Sequence, residues 1–136
     1  MNKEEIMAIL PHRGNMLLID EVMEEDGIAY GKYTIKDDEW FLDGHFPGNP
    51  VVPGVILCEI IAQSACVLLV TKIANGETPY LTEINSARFR TPVKPGDTVR
   101  TECALVKMKP PFYFASGLLS VRGKLCLKAE FSFALK

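Results

Sequence analysis

Residues 55–70 carry one charged side chain, Glu59, in an apolar run interrupted otherwise only by Gln63 and Ser64. A surface helix would show a polar face every third or fourth position, and this run does not. It is also shorter than the roughly 20 residues needed to span a bilayer. The solution left is a helix enclosed by the rest of the fold. Pro53 and Gly54 open it, because a first helical turn tolerates the missing proline amide, and Asn75-Gly76 predicts its end near Ala74. A lone carboxylate inside such a helix is costly unless something pairs or uses it.

The enclosing material is β-rich. Asn2, with Glu5 three residues on, resembles a capping box and predicts a short helix over Lys3–Leu10, with Ile6, Ile9 and Leu10 inward and Pro11 as its stop. Met16–Met23 and Ile28–Ile35 read as strands joined at Asp26-Gly27. Strands are predicted over Tyr80–Phe89, Val99–Met108, Phe112–Val121 and Leu125–Leu135, with turns at Lys94-Pro95-Gly96-Asp97, Pro110-Pro111 and Arg122-Gly123. The last strand alternates, with Leu125, Leu127, Ala129, Phe131, Phe133 and Leu135 on one face and Cys126, Lys128, Glu130, Ser132 and Ala134 on a wet one. With 136 residues, the chain reads as a single domain over 1–136. Its class is α+β, a curved antiparallel sheet wrapping a long central helix.

A net charge of −2 argues against a general nucleic-acid binder. The charge is uneven, however. Residues 1–59 hold 4 Lys/Arg against 12 Asp/Glu, and residues 60–136 hold 11 against 5. Arg88, Arg90, Lys94 and Arg100 lie in the basic stretch and offer a surface to an acidic partner, beside the plainer reading of a solvated strand face. Cys58, Cys66, Cys103 and Cys126 form no Cys-x-x-Cys pair and sit in apolar segments, which predicts buried free thiols in a reducing compartment. The N-terminal residues have no apolar signal core, so a cytoplasmic protein with no membrane partner is expected.

Two residues stand out chemically. His45 lies in a loop stiffened by Pro47, Pro50 and Pro53, and an imidazole titrates in the range useful to a base at neutral pH. Glu59 lies about a turn and a half into the helix. Desolvation there favours its protonated form, which suits a general acid. Gln63, one turn on, faces Glu59 and can hydrogen-bond it. The Gly54 and Val55 amides at the helix start lack helical partners and can hold a developing oxyanion, and Gly54 leaves room for a ligand. Phe46, next to His45, joins the substrate-binding candidates. A base, an acid and an oxyanion site are what β-elimination of water from a 3-hydroxyacyl thioester requires, though these residues alone do not single out that substrate. There is no His-x-x-x-His zinc pattern, no phosphate loop and no nucleophile elbow, and no metal or cofactor is expected. His12-Arg13 could bind an anion or cap a neighbouring element, and the structural role is the first reading.

Leu10-Pro11-His12-Arg13, Gly44-His45-Phe46-Pro47-Gly48-Asn49-Pro50-Val51, Pro53-Gly54-Val55 and Glu59 with Ala62-Gln63 resemble the (3R)-hydroxyacyl-acyl carrier protein dehydratases of the FabZ type. Ala87-Arg88-Phe89-Arg90, Pro95-Gly96-Asp97 and Ala129-Glu130-Phe131 extend the likeness over nearly the whole chain. The resemblance implies a hot-dog fold and a homodimer, usually assembled as a trimer of dimers. Each site would take His45 as base from one subunit and Glu59 from the other, with the Gly54 amide on the thioester oxygen. It implies an acyl carrier protein as partner, docking on Arg88, Arg90, Lys94 and Arg100. Gly14-Asn15-Met16 departs from the usual aromatic-Pro-Phe, and Ile60 stands beside the acid where alanine is usual. Dehydratase-isomerases that also form cis-3-enoyl products share these motifs, so that reading stays open. A hot-dog acyl thioesterase is disfavoured by the Gly-His-Phe-Pro loop, and a non-catalytic acyl-binding protein would not need both His45 and Glu59.

Overall fold

The computed structural model describes residues 1–73 and 76–136. The helix end expected at Ala74 and Asn75 lies outside the described residues. Two helices precede the crossover of the chain: α1 (Lys3–Met7) and α2 (Gly54–Ala65), the latter prolonged by a tighter 3-10 segment at Cys66–Leu69 into α3 (Val70–Ile73). The strands are β1 (Glu21–Glu25), β2 (Ile28–Thr34), β3 (Pro79–Phe89), β4 (Thr98–Lys109), β5 (Phe112–Val121) and β6 (Lys124–Leu135). They form one antiparallel sheet in the order β1-β2-β4-β5-β6-β3. The sheet packs against α2 through β4, β5, β2 and β6, the hot-dog arrangement that the resemblance implies.

Local chemistry explains most of the turns. Asp26-Gly27 and Arg122-Gly123 both have positive φ at both residues, the conformation that matches the twist of a two-residue hairpin. The Asp97 amide bonds to the Lys94 carbonyl at 3.1 Å across Gly96 at φ +90°, as the Pro-Gly pair predicts. The capping box forms: the Asn2 side chain accepts from the Glu5 amide at 3.0 Å, and the Glu5 carboxylate accepts from the Asn2 amide at 3.1 Å. Helix α1 is shorter than expected and stops at Met7, with Ala8 as its C-cap, yet Ile6, Ile9 and Leu10 are buried as predicted.

Three expectations need correction. Met16–Met23 is not one strand: Gly14–Met16 is a 3-10 turn, Leu17–Ile19 are buried without regular structure, and only Glu21–Glu25 pairs in the sheet. The long helix is not uniform, because Ser64 donates back to the Ile60 carbonyl at 3.0 Å and the Cys66 amide is shared among the carbonyls of Ala62, Gln63 and Ser64. Such back-bonding and shared acceptors tighten and bend a helix. The outer face of β6 is not wet throughout. Ser132 and Ala134 are buried, flanked in register by Tyr80, Phe112 and Phe114 of the neighbouring strands.

Helix α2 is buried on nearly every side, as its composition demands. Close approach to the sheet depends on glycine. A Cβ on Gly117 would overlap Ile61 Cγ2, and one on Gly31 would overlap the buried Thr101–Ser64 hydroxyl pair. The four cysteines are buried and unpaired, as expected, and burial together with Glu102 pushes the Cys103 thiol up to about 12. At the other extreme, none of the eleven residues of edge strand β3 is buried, and Tyr80, Leu81, Ile84 and Phe89 present apolar surface.

Candidate active site

The segment carrying His45 is held by its own backbone. Phe41 and Leu42 are buried and anchor its start, and the Trp40 indole donates to the Asn15 carbonyl at 3.1 Å. The His45 amide bonds to the Leu42 carbonyl, the Val51 amide returns to the His45 carbonyl at 2.9 Å, and Phe46 and Asn49 exchange bonds. The loop is therefore closed by hydrogen bonds as well as stiffened by proline. The His45 Nδ1 lies 3.1 Å from the Val51 carbonyl oxygen. A carbonyl only accepts, so Nδ1 carries the hydrogen, and in the neutral imidazole the lone pair is on Nε2. The exposed Phe46 ring stacks on the imidazole with centroids 4.2 Å apart.

Glu59 is held by Gln63, as the sequence predicts, and by a second partner that it does not. Its Oε2 accepts from Gln63 Nε2 at 2.7 Å and lies 3.3 Å from His12 Nε2. Gln63 is itself fixed, donating to the Met16 carbonyl at 2.8 Å and accepting from the Leu18 amide at 2.9 Å. Burial is the largest influence on the Glu59 carboxyl and raises it. Hydrogen bonds from His12 and Gln63 and the His12 charge outweigh burial, so the group sits below the ordinary glutamate value. Glu59 is a carboxylate at neutral pH, not the protonated acid that desolvation alone predicts. Both partners act on Oε2, which leaves Oε1 without a hydrogen bond among the described residues.

This arrangement predicts a pH-dependent stability. A depressed carboxyl value stabilises the fold above the unfolded glutamate value, about 4.3, and the gain is lost as pH falls through the folded value. In urea denaturation the stability gap between wild type and Glu59→Gln should be widest near neutrality and close in acid. A gap independent of pH would contradict it.

Helix α2 starts with Pro53 at its N-cap and Gly54 as its first residue. The Gly54 and Val55 amides make no hydrogen bond among the described residues, as expected of a helix start. The room at Gly54 is not empty, though. A Cβ there would lie 2.8 Å from the half-exposed Phe89 ring, so Phe89 covers the helix end in the single chain. Gly54 and Phe89 line a cleft of about 410 Å³ with Val52, Leu57, Arg90 and Val93. Ile60 points into the core, away from solvent, and its bulk fills the interior beneath the helix.

The structure thus joins Glu59 to Gln63, His45 to Phe46, and Gly54 to Arg90. Among the described residues no hydrogen bond or ion pair links His45 to Glu59. The four basic candidates are spread out. Arg88 faces Lys128 across β3 and β6, while Arg100 faces Lys32 across β4 and β2, with β5 and β6 between them. Lys94 sits in the turn before Gly96. Arg13 is structural, as read: its guanidinium donates to the carbonyls of Met7, Leu10 and His12. His12 was missed as a partner of Glu59, and its place in the Leu10–Arg13 motif was its only signal.

The FabA-like domain model matches residues 10–130. The chain belongs to the FabA-like family. Within it, the chain is 40% identical over 139 residues to the 3-hydroxyacyl-(acyl-carrier-protein) dehydratase FabZ of Clostridium perfringens, covering 99% of each. It is 41% identical over 136 residues to the FabZ of Halalkalibacterium halodurans, covering 98% of this chain and 97% of that one. It is therefore a dehydratase of the FabZ type. Among solved structures it is similar to a chain of the dehydratase heterocomplex ApeI:P from Xenorhabdus doucetiae, with a TM-score of 0.81 at 19% identity over 96% of this chain and 90% of that one. A hypothetical thioesterase with coenzyme A from Streptococcus pneumoniae TIGR4 gives a TM-score of 0.64 at 14% identity, covering 85% and 84%. These two likenesses speak for the hot-dog fold alone.

Proposed function

We propose that this FabZ-type protein dehydrates (3R)-3-hydroxyacyl chains carried on acyl carrier protein to trans-2-enoyl chains, as a step of fatty acid elongation. This reading is carried by the bond of His45 Nδ1 to the Val51 carbonyl, which ties up that nitrogen and leaves Nε2 of the neutral imidazole to act as a base. Nε2 takes the proton α to the thioester carbonyl. The enolate oxygen is held by the Gly54 amide, with Val55 next to it and the helix dipole behind both. The β-hydroxyl then leaves as water. Because Glu59 is ionised, it acts as an acceptor that orients the hydroxyl or a water through Oε1. The proton lost from the α-carbon returns from His45 to the leaving oxygen, so the reaction balances without an external acid. Phe46 and Phe89 shield the thioester from bulk water.

His45 and Glu59 belong to different subunits in this reading. Support comes from the absence of a hydrogen bond or ion pair between them among the described residues, and from the unburied edge of β3 with Phe46, Val55 and Phe89 exposed. A long apolar edge invites a second copy. Pairing of two chains there gives a homodimer with two sites, and three dimers give the hexamer. The acidic carrier docks on the Arg88–Arg90 end of β3, next to the Gly54 cleft. There Arg88 faces Lys128 directly, a like-charge pair that an anionic partner relieves. Lys94 and Arg100 lie further out and contribute to its approach. Among the described residues no helix is long and apolar enough to cross a membrane, and buried thiols suit a cytoplasmic setting.

The test is a 3-hydroxyacyl carrier-protein thioester, followed for enoyl formation, double-bond position and free thiol. A trans-2-enoyl product is expected. Additional cis-3-enoyl product would make the protein an isomerase as well, and free thiol without alkene would make it a thioesterase. No turnover at any chain length would end the proposal.

A further inference from the structure

We propose that His12 is a positioning residue for Glu59, fixing which carboxylate oxygen faces the substrate. The inference rests on the reading of Glu59 as part of the reaction site. His12 sits in the loop between α1 and the Gly14–Met16 turn, 47 positions from Glu59 in sequence, and places Nε2 3.3 Å from Glu59 Oε2. Both side chains are mostly shielded, with relative exposures of 22% and 27%. A charge-assisted contact in such a setting is stronger than one in water.

Two further observations separate this from an incidental contact. His12 Nδ1 is buried and finds no hydrogen-bond partner among the described residues. A buried polar atom without a protein partner destabilises, so an apolar side chain would suit the fold better at this point. The imidazole therefore has its use on the Nε2 side. The loop that carries it is also fixed more firmly than a solvent loop requires. The Arg13 guanidinium donates at 2.7 Å to the His12 carbonyl, at 2.7 Å to Leu10 and at 2.8 Å to Met7. Arg13 orders the backbone, the backbone aims His12, and His12 shares Oε2 with Gln63. Oε1 is then the oxygen left for substrate.

His12 also supplies one of the two side-chain hydrogen bonds that, against burial, lower the Glu59 carboxyl. The other titratable group that senses Glu59 is Cys66, whose thiol is kept protonated by burial and by Glu59 itself. Gln63 is neutral, and Arg13 is committed to backbone carbonyls. His12 is thus the partner whose removal should shift the carboxyl.

The experiment compares wild type with His12→Leu and His12→Gln. Three readouts are taken: kcat and KM on the carrier-bound 3-hydroxyacyl thioester, the pH profile of kcat/KM, and the titration of the Glu59 carboxyl. The last uses carbon-13-labelled glutamate, assigned by the resonance that Glu59→Gln lacks. For His12→Leu, kcat should fall about 10- to 100-fold with KM little changed. The Glu59 titration should move to higher pH, while the acidic limb of kcat/KM, set by the His45 base, stays in place. His12→Gln keeps an N–H within reach and should recover part of kcat while the carboxyl still titrates higher. An unmoved Glu59 titration in both variants overturns the proposal, whatever happens to kcat. If His12→Leu does not assemble, the carboxyl titration of His12→Gln decides alone. If the wild type turns over no hydroxyacyl thioester, the functional reading fails, and the titration still reports whether His12 holds Glu59.

Discussion

His45→Ala should lower kcat for dehydration by about 10²- to 10⁴-fold, and Glu59→Gln by a comparable factor, with both variants still assembling as wild type. His45 makes one side-chain hydrogen bond, to its own loop, and Glu59 is partly exposed, so neither substitution removes core packing. The stronger form of the prediction mixes the two dead variants. If each site takes His45 from one chain and Glu59 from its partner, a mixed dimer has one doubly damaged site and one intact site. Random exchange makes half of the dimers mixed, so activity should return to about one quarter of wild type. Exchange is verified independently with two mass tags. Complete exchange with no recovered activity would place both residues in one chain's site and refute the shared arrangement. Recovery cannot arise from stability, because each parent alone is inactive at any concentration.

The parts of the fold that were readable in the sequence are those whose energetics are local. Asp26-Gly27, Pro95-Gly96 and Arg122-Gly123 occupy the turns predicted for them, because positive φ is tolerated by few residues and the neighbouring strands leave no other place for it. The enclosed helix was readable because one charge in so long an apolar run admits no exposed face. What failed depended on partners far along the chain. Residues 16–19 look like a strand because they are apolar and precede a hairpin. Their backbone groups are instead satisfied by the Gln63 side chain, which bonds to Met16 and Leu18 from 47 and 45 positions away. No periodicity reports such a bond.

The same holds for the site. The positions of His45 and Glu59 could be singled out from their settings alone, a rigid loop and an apolar helix. The ionisation state of Glu59 could not. Burial, visible in the sequence, pushes its carboxyl up, while His12 and Gln63 together push it further down. His12 follows a proline near a short helix, and nothing local aims it at residue 59. The room imagined above Gly54 is likewise taken by Phe89, which reaches it from the end of an edge strand. Sequence reasoning therefore singled out both positions and misjudged the ionisation of Glu59.

Gly117→Ala should destabilise the fold by about 1–3 kcal/mol, although a strand normally prefers alanine to glycine. Replacing glycine restricts the unfolded chain and alone would stabilise by about 0.4–1 kcal/mol. The native state loses more. The added methyl would overlap Ile61 Cγ2 and lie 3.2 Å from Cys103 Sγ, in the contact between α2 and the centre of the sheet. Ile61 is fully buried, and its branched Cβ holds one rotamer on a helix, so Cγ2 cannot turn aside. The helix must lift or the sheet must flatten. Leucine at position 61 has similar volume without the branch at Cβ. Gly117→Ala should therefore cost less in an Ile61→Leu background, and the coupling is read from urea denaturation of the four proteins in a double-mutant cycle. Additive effects would show that the glycine is not there for Ile61. The consequence reaches the chemistry, because Ile61 and Glu59 share α2. A helix that lifts from Gly117 carries Glu59 away from His12 and displaces the Gly54 amide, so Gly117→Ala should also lower kcat, and Ile61→Leu should restore part of it along with the stability.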